Sequence, residues 1–316
     1  MYNYCTLFDS NYLTRGLAMY ESLKKYSDKF HLFIFAFDLR SYEMLNKLNL
    51  KSVTIISLKE FENEELLEIK KNRSQIEYCW TCTPYIIQHS IEKFNLKNCT
   101  YLDADIYFFS NPNILIKEML NKSILLTEHR YSSNYDQSLK RGIYNVQFLT
   151  FKNDKNGMKA LNWWKESCKA WCYQRVENEK FGDQKYLDDW TLRFDGVHVL
   201  KNLGGGVAPW NIQKYKIEET VFQLVFYHFH GFKYLLNDKV DLGTYRLRKE
   251  DIKYLYKPYL KHLENINKNI FQIDSRYDFN GTMKQNKMNF KNIFRFIKRK
   301  INRSYNIYDK NYILGL

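Results

Sequence analysis

The sequence predicts an α/β fold in which helices cover both faces of a doubly wound, mostly parallel mixed sheet. Short apolar segments of strand type alternate with amphipathic segments of helix type from the first residue onward. Apolar residues make up 45% of the 316-residue chain, which is enough for a substantial core. Two aspartates directly follow one predicted buried strand, and open α/β sheets bind ligands beyond the carboxyl ends of their strands. The fold class and the position of a ligand site are therefore predicted together.

The N-terminal part of the chain alternates strand and helix. Apolar runs predict strands over residues 2–8, 31–37 and 53–57, and helical spacing predicts helices over 13–23 and 41–48. Ser10 or Asn11 is positioned to cap the first of these helices. A charged helix is expected over 60–73. Thr83 followed by Pro84 is typical of a helix start, and this helix leads to the strand that precedes the two aspartates.

The remaining part of the chain continues the alternation. The pattern predicts strands over 123–127, 146–151, 197–200 and 221–227, a helix over 157–173 and a short helix that opens with residues 181–184. The polar segment 128–144 carries Arg130, Lys140 and Arg141, and we expect it to form a loop over the ligand site. Residues 202–211 contain three consecutive glycines, which either let the backbone approach a ligand or form a plain flexible turn.

Asp103 and Asp105 are the strongest candidates for chemistry. They flank the small Ala104 at the end of an apolar segment that contains Tyr101 and Leu102. An unpaired buried charge is strongly disfavoured, so two carboxylates beside a hydrophobic strand indicate a cationic partner. Two carboxylates together with substrate phosphates commonly hold a hard divalent cation such as Mg²⁺. The simpler alternative is a strand-end turn with two solvated aspartates.

Composition predicts the cellular location. No segment reaches the roughly 18 consecutive apolar residues of a membrane span, and the N-terminus lacks the pattern of a secretory signal. We therefore expect a cytoplasmic protein whose six cysteines are reduced thiols. The pairs Cys79/Cys82 and Cys168/Cys172 have a spacing that zinc sites also use. The second pair continues the apolar stripe of a helix, which favours two small buried hydrophobes instead.

The net charge of +14 is concentrated in the C-terminal tail, residues 284–316. Nine Lys or Arg residues against one acid, Asp309, give the tail +8 of this total. The rest of the chain is only mildly basic and has no nucleic-acid motif, which disfavours a nucleic-acid-binding protein. Apolar residues recur in the tail at helical spacing, at Met288, Phe290, Ile293, Phe294, Ile297 and Ile301. Basic residues fill the other positions, at Lys291, Arg295, Lys298, Arg299, Lys300 and Arg303. Such a helix either docks on an anionic membrane surface, here the inner face of the cytoplasmic membrane, or packs on protein.

Four short segments occur in an order that is typical of one enzyme family. They are Thr6-Leu-Phe-Asp-Ser-Asn-Tyr12, Tyr101-Leu-Asp-Ala-Asp105, Asp183-Gln184 and His228-Phe-His-Gly231. A fifth segment, Tyr144-Asn-Val-Gln-Phe148, falls where that family has Asn-Ala-Gly facing the sugars. The chain resembles the metal-dependent GT-A glycosyltransferases, most closely the retaining family that contains glycogenin and bacterial lipopolysaccharide galactosyltransferases. The resemblance extends over roughly residues 1–235 as scattered motifs.

The resemblance implies a set of site residues. Asp103, Asp105 and His228 would bind Mn²⁺ or Mg²⁺; imidazole favours Mn²⁺, and His230 is the alternative to His228. The nucleotide-binding residues would be Thr6, Asp9, Asn11, Tyr12, Asp103, Gly231 and Lys233. The sugar-binding residues would be Asn145, Gln147 and Asp183. Catalysis would involve Asp183 and Gln184, which would lie beside the anomeric carbon.

The implied reaction moves a sugar from a nucleotide-diphospho-sugar, with UDP-hexose favoured, to a saccharide or lipid-linked saccharide acceptor. The acceptor would belong to a surface glycan such as lipopolysaccharide, lipooligosaccharide or capsule, and we expect the configuration to be retained. Two departures from the family pattern leave the donor sugar and the stereochemistry open: Phe232-Lys233-Tyr234 lacks the usual Pro-Trp, and Asn145-Val146-Gln147 replaces Asn-Ala-Gly. A nucleotidyltransferase is the alternative enzyme, although the segment after the first strand lacks the glycine of a phosphate loop.

These assignments divide the chain into three predicted segments. Residues 1–240 would form the GT-A catalytic domain, because all five motifs fall within them. Residues 241–283 would form a helical or loop extension, and residues 284–316 the basic amphipathic tail.

Overall fold

The computed structural model describes residues 1–27, 29–217, 222–284 and 290–315. Its strands are β1 (Tyr2–Phe8), β2 (Phe30–Ala36), β3 (Val53–Ser57), β4 (Asn98–Leu102), β5 (Ile106–Phe108), β6 (Ile124–Glu128), β7 (Tyr144–Lys152), β8 (Val197–Val199), β9 (Phe226–His228), β10 (Lys233–Leu235), β11 (Lys239–Asp241) and β12 (Ile307–Asp309). Its helices are α1 (Leu13–Tyr26), α2 (Leu39–Lys47), α3 (Leu58–Phe61), α4 (Glu64–Lys70), α5 (Gln75–Lys93), α6 (Asn113–Lys117), α7 (Ser138–Arg141), α8 (Lys155–Ala170), α9 (Trp190–Arg193), α10 (Lys249–Asp251), α11 (Lys257–Ile273), α12 (Phe290–Ile301) and α13 (Lys310–Gly315).

Within the described ranges, seven strands form one mixed sheet in the order β3-β2-β1-β4-β7-β6-β8. Strand β1 pairs in parallel with β2 and β4, and β2 pairs in parallel with β3. Strand β7 runs antiparallel to both of its neighbours, β4 and β6. The predicted doubly wound, mostly parallel mixed sheet is confirmed.

The sheet separates two hydrophobic cores. Helix α1 covers one face and α11 packs against α1, so that Leu17 and Tyr259 belong to the same buried cluster. Helices α5 and α8 pack on the other face, with Ile87 and Trp164 in the second cluster. The sheet is therefore buried on both faces, which is why its strands read as nearly continuous apolar runs in the sequence.

A short two-stranded ribbon beside the main sheet brings distant motifs together. Strand β5 begins directly after Asp105 and pairs antiparallel with β9, and this register sets Ile106 opposite His228. The backbone N–H of Phe229 donates to the carbonyl oxygen of Asp105 over 2.8 Å. Asp105 and His228, which are 123 positions apart in the sequence, thus become neighbours through backbone pairing.

Some predicted boundaries were wrong. Helix α5 begins at Gln75 rather than at Thr83, because Ser74 and Glu77 form a capping box, and Pro84 lies inside the helix. The expected charged helix over 60–73 is divided into α3 and α4. The strand predicted over 221–227 is Phe226–His228 among the described residues.

The C-terminal segment returns to the body of the protein. Strand β12 adds to a three-stranded sheet in the order β10-β11-β12, and Arg299 in α12 forms an ion pair with Asp241 over 2.8 Å. Helix α12 lies where the tail pattern predicts one, while Met288 is outside the described residues. The three-segment division of the chain stays a prediction. Among the described helices, none is long and apolar enough to cross a membrane.

Candidate active site

A cleft of about 950 Å³ opens at the carboxyl ends of β1 and β4. The amino end of the antiparallel strand β7 reaches the same edge of the sheet and contributes to the cleft. Nine of the predicted site residues line it: Asp9, Asn11, Tyr12, Asp103, Asp105, Asn145, Asp183, Gln184 and His228. The structure therefore brings together side chains from five separate parts of the sequence.

Asp103, Asp105 and His228, here called the metal triad, converge at the floor of the cleft. Each offers one ligand atom, and the three atoms lie within 4.8 Å of one another. The His228 Nε2 atom is 3.0 Å from Asp105 Oδ1 and 3.7 Å from Asp103 Oδ2. Two carboxylates and an imidazole form a donor set that suits a divalent cation such as Mn²⁺ or Mg²⁺, so the residues fit the predicted metal.

Three buried carboxyl groups of the cleft have pKa values that are shifted in different directions. Burial, together with the Asp105 charge, raises the pKa of Asp103 to about 6. Burial would also raise the pKa of Asp105, but the adjacent His228 outweighs it and lowers that pKa to about 2. Burial, assisted by the Asp103 charge, raises the pKa of Asp183 to about 8. A divalent cation would let all three carboxylates ionise together, which supports the fit.

Gln147 fixes the orientation of His228. The His228 Nδ1 atom donates to Gln147 Oε1 over 2.7 Å, and both side chains are buried. This hydrogen bond places a ring proton on Nδ1, so Nε2, which faces the two aspartates, is the atom that would bind a cation. Gln147 was predicted to bind sugar; in the structure it lies behind His228 and does not line the cleft.

The predicted nucleotide end of the cleft is built on the loop between β1 and α1. Asp9 accepts hydrogen bonds from the Asn11 backbone N–H over 3.0 Å and from Asn11 Nδ2 over 3.2 Å. Gln75 also donates from its side-chain amide to Asp9. The Tyr12 ring is exposed at 41%, with the Arg15 guanidinium carbon 4.5 Å from its centroid. An accessible ring beside polar groups can stack on a planar base.

The predicted sugar end is more deeply buried. Asp183 is 5% exposed, and its carbonyl oxygen accepts from Trp164 Nε1 over 2.8 Å. Gln184 donates from Nε2 to the carbonyl oxygen of Arg141 over 2.7 Å, and Arg141 itself lines the cleft. The Oδ1 atom of Asn145 accepts a hydrogen bond from the backbone N–H of Gln147 over 2.7 Å. Asp183, Gln184 and Asn145 therefore each make a hydrogen bond in which one partner is a backbone atom.

Three further predicted residues, Thr6, Gly231 and Lys233, do not line the cleft. Thr6 is buried within β1, Gly231 lies in the turn after β9, and Lys233 is exposed at the start of β10. Their nucleotide-binding roles stay predictions. His230 lines the cleft, but it is outside the group of three ligand atoms, which favours His228 as the ligand.

Sequence reasoning missed two parts of the lining. The first turns of α5 contribute Gln75, Cys79 and Trp80, and the Ser74-x-x-Glu77 capping box was the signal that could have found this helix start. The opposite side is an aromatic wall formed by Tyr131, Trp210 and Tyr245, in which Trp210 has ring centroids 6.2 and 6.4 Å from the other two. These three come from separate loops, and no local pattern marks them.

The glycine-rich loop packs against protein rather than ligand. A side chain at Gly204 would approach the carbonyl oxygen of Gln223 to 2.0 Å, so only glycine permits this contact between two backbone segments. The loop leads into Trp210 and thereby positions the aromatic wall.

The order and directions of the strands in the seven-stranded sheet are those of the GT-A fold. The structure of the galactosyltransferase LgtC in complex with donor and acceptor sugar analogues superposes with a TM-score of 0.52 at 13% identity, covering 83% of this chain and 95% of that one. The apo form of the glycosyltransferase GlyE of Streptococcus pneumoniae TIGR4 gives 0.53 at 14% identity, covering 87% of this chain and 64% of that one. At these identities the similarity shows the fold, as predicted.

Two Bacillus subtilis (strain 168) proteins are related in sequence. The uncharacterized protein YfnD is 34% identical over 281 residues, which are 83% of this chain and 89% of YfnD. The uncharacterized protein YfnF is 29% identical over 294 residues, 88% of this chain and 96% of YfnF. The chain belongs to the same family as YfnD. No family model matches it.

Proposed function

We propose that this protein is a metal-dependent glycosyltransferase that moves a hexose from a UDP-hexose donor to a saccharide acceptor. The observation that carries the proposal is the metal triad in the cleft of a GT-A fold, with its three ligand atoms within 4.8 Å of one another. Mn²⁺ is the favoured cation because one ligand is an imidazole. A nucleotidyltransferase would use a glycine-containing phosphate loop after β1, and residues 9–12 contain no glycine.

In this mechanism Asp103, Asp105 and His228 would hold the cation. A divalent cation at this position supplies Lewis-acid neutralisation of the charge that develops on the departing nucleoside diphosphate. Gln147 keeps the Nε2 atom of His228 free to act as a ligand. Asp9 and Asn11 would hydrogen-bond to the base and ribose, and the exposed Tyr12 ring would stack on the base.

Asp183 and Gln184 would act at the anomeric carbon. If configuration is retained, the leaving diphosphate and the acceptor share one face of the sugar, so the opposite face needs a group that stabilises the oxocarbenium-like transition state. Gln184 Oε1 is available for this role because the amide nitrogen is already bound to the Arg141 carbonyl. Asn145 would bind a sugar hydroxyl group.

The aromatic wall favours a saccharide as acceptor. Trp210 lies 5.4 Å from the His228 ring, so the wall begins beside the metal triad and extends outward through Tyr245. Flat aromatic rings flanked by polar groups suit the apolar faces of sugar rings. A surface glycan, either lipopolysaccharide, lipooligosaccharide or capsule, would supply such an acceptor, free or carried on lipid.

Helix α12 supports docking at an anionic membrane surface. Its side chains at Phe294 and Ile301 are exposed at 69% and 74%, and Lys298 and Lys300 are exposed beside them. Exposed apolar and basic residues on one helix are typical of binding in the headgroup region of a bilayer. Docking at the inner face of the cytoplasmic membrane would concentrate the enzyme near a lipid-linked acceptor.

A panel of UDP-, GDP- and ADP-hexoses tests the proposed reaction. We expect release of free hexose or its transfer from a UDP-hexose in the presence of Mn²⁺, with reversible loss of activity in EDTA. Release of pyrophosphate from a nucleoside triphosphate and a sugar phosphate would instead identify a nucleotidyltransferase. Full turnover in EDTA would contradict metal dependence.

A further inference from the structure

The segment Asp278–Met283, here called the strap, forms a tight turn that packs on Asn11, Thr14 and Arg15. Asp278 Oδ1 accepts from the backbone N–H of Asn280 over 3.0 Å, and Asp278 Oδ2 accepts from that of Thr282 over 2.6 Å. Phe279 and Asn280 are both buried. The strap thus has a defined conformation of its own, set by one aspartate and one buried ring.

One side of the strap contacts the first turn of α1 and the loop between β1 and α1. Thr14 donates from Oγ1 to Asn280 Oδ1 over 2.8 Å, and both side chains are buried. Gly281 has a φ of +62° and lies so close to Asn11 that a Cβ atom would be 2.9 Å from Asn11 Cβ and 3.0 Å from the Asn11 carbonyl oxygen. Only glycine combines this backbone conformation with this approach.

The other side of the strap joins the segment that follows the metal-binding histidine. The backbone N–H of Met283 donates to the Tyr234 carbonyl oxygen over 2.9 Å, and that of Leu236 donates to the Met283 carbonyl oxygen over 3.1 Å. These bonds attach the strap to β10, five residues after His228.

Arg15 links the three segments at one point. This side chain is 3% exposed and donates to carbonyl oxygens of Asn11 over 3.0 Å, Asn280 over 3.0 Å and Phe232 over 3.4 Å. Each carbonyl belongs to a different segment: the β1–α1 loop, the strap and the turn after β9. Moving any one of them would cost a charge-assisted hydrogen bond in the interior.

We infer that the strap is a positioning element for the donor, with Gly281 as its critical residue. It ties the loop predicted to bind the base and ribose to the turn and strand that follow the metal-binding histidine, and so fixes the distance between the two ends of a bound nucleoside diphosphate. This inference rests on the proposed function. Asn11 is the residue through which a displaced strap acts, because Gly281 touches its backbone.

The test compares nucleotide affinity with thermal stability in single variants. The probes are UDP, GDP and ADP with Mn²⁺, titrated by calorimetry into the full chain, and the tightest-binding nucleotide is then used throughout. For Gly281→Ala we expect the dissociation constant of the nucleotide to rise about tenfold, which is roughly the effect of losing one hydrogen bond between protein and nucleotide. Gly315→Ala is the matched control, since a Cβ atom there meets nothing within 4 Å.

A second glycine variant separates positioning from backbone strain. Asparagine tolerates positive φ better than alanine, so Gly281→Asn should lower Tm less, while its Cβ atom meets Asn11 in the same way. We expect the two variants to lose nucleotide affinity equally and to differ in Tm. Loss of affinity that follows Tm across the two variants would assign Gly281 a purely structural role and overturn the inference.

Thr14→Val provides an independent variant that removes the Thr14–Asn280 hydrogen bond with little change in shape. We expect weaker nucleotide binding and an elevated donor KM, with kcat for donor hydrolysis unchanged within about twofold, as for loss of uniform binding. Wild-type nucleotide affinity in both Thr14→Val and Gly281→Ala would overturn the positioning role of the strap and leave the proposed function intact. A wild-type protein that binds none of the three nucleotides would overturn the proposed function and the strap's role with it.

Discussion

The metal triad and helix α12 are oppositely charged regions that are built in opposite ways. Backbone pairing holds the triad in place: β4 pairs with β7, and the β5–β9 register sets Asp105 beside His228. Helix α12 presents separate exposed side chains, and its ion pair from Arg299 to Asp241 attaches it to the domain at one end. The three triad residues depend on one another to form one site, whereas each exposed residue of α12 would make a small, separate contribution to binding. Substitutions should therefore have large effects in the first region and graded effects in the second.

The largest effect is expected at the metal triad. Asp105→Asn should lower kcat/KM by about 10³-fold or more, since the cation that Asp105 is proposed to hold would supply several kcal/mol of charge stabilisation. EDTA should abolish activity, and added Mn²⁺ should restore it. Glu68→Gln is the control, because Glu68 is an exposed acid on α4. A folded Asp105→Asn protein with normal turnover would remove the triad from the mechanism.

A loss of activity without loss of stability is expected at Asp183. Asp183→Asn should lower kcat by about 10²- to 10³-fold, the usual cost of removing one preorganised stabilising group. The alternative is a merely structural aspartate, whose removal would reduce Tm and kcat together. Steady-state kinetics and thermal unfolding of the same preparation distinguish the two.

The pH dependence of stability tests the same carboxyl group. Burial raises the pKa of Asp183 to about 8, whereas the pKa of an aspartate in the unfolded chain is about 3.9. The unfolded chain therefore loses its proton first, so this group's contribution to stability is complete below about pH 4 and is lost as pH rises toward 8. Between pH 5 and 8 the Tm of metal-free wild-type protein should fall more than that of Asp183→Asn. The same dependence of Tm on pH in the wild type and in Asp183→Asn would contradict a raised pKa for the buried Asp183 carboxyl group.

An intermediate effect is expected at Gln147. Gln147→Leu keeps the volume but removes the acceptor for His228 Nδ1, and loss of such a supporting bond typically costs about 10- to 100-fold in metal affinity. The half-saturating Mn²⁺ concentration for donor hydrolysis should rise accordingly, and excess Mn²⁺ should recover most of the activity. Gln272→Leu, at an exposed position of α11, should leave it unchanged. If Gln147 binds the sugar instead, Gln147→Leu would raise the donor KM even at saturating Mn²⁺.

The smallest effects per residue are expected in α12. Lys298→Glu and Lys300→Glu should each weaken sedimentation with anionic liposomes by severalfold, from about 1 kcal/mol per basic residue near such a surface. Hydrolysis of soluble donor should be unaffected. Point substitutions suit this test better than truncation, because β12 and the buried Ile313 lie beyond the helix. Unchanged liposome binding in the double variant would assign the helix to protein contacts instead.

Sequence patterns predicted the sheet well because its strands are buried on both faces and read as apolar runs. The aspartate pair was also predictable, since carboxylates at the end of such a strand need a cationic partner. His228 could not be deduced from spacing, because its distance from Asp105 depends on the β5–β9 register. Only the family resemblance supplied it.

The remaining features depend on tertiary packing. The contact between Gln147 and His228 crosses from β7 to β9, so nothing in the local sequence distinguishes it from a sugar contact. Trp210 in the aromatic wall follows the glycine-rich loop, in which Gly204 lets the backbone pass close to the carbonyl oxygen of Gln223. The start of α5 was predictable from Ser74 and Glu77, and there the proline at position 84 was given too much weight.

The central claim is that Asp103, Asp105 and His228 bind a divalent cation that in turn binds a nucleoside diphosphate. Its most direct test is calorimetric titration of Mn²⁺ into wild-type protein and into Asp105→Asn, each with and without UDP. We predict one Mn²⁺ site in the wild type that UDP strengthens, and loss of both the site and the UDP effect in the variant. Equal Mn²⁺ binding by the two proteins, or binding that UDP leaves unchanged, would contradict the claim.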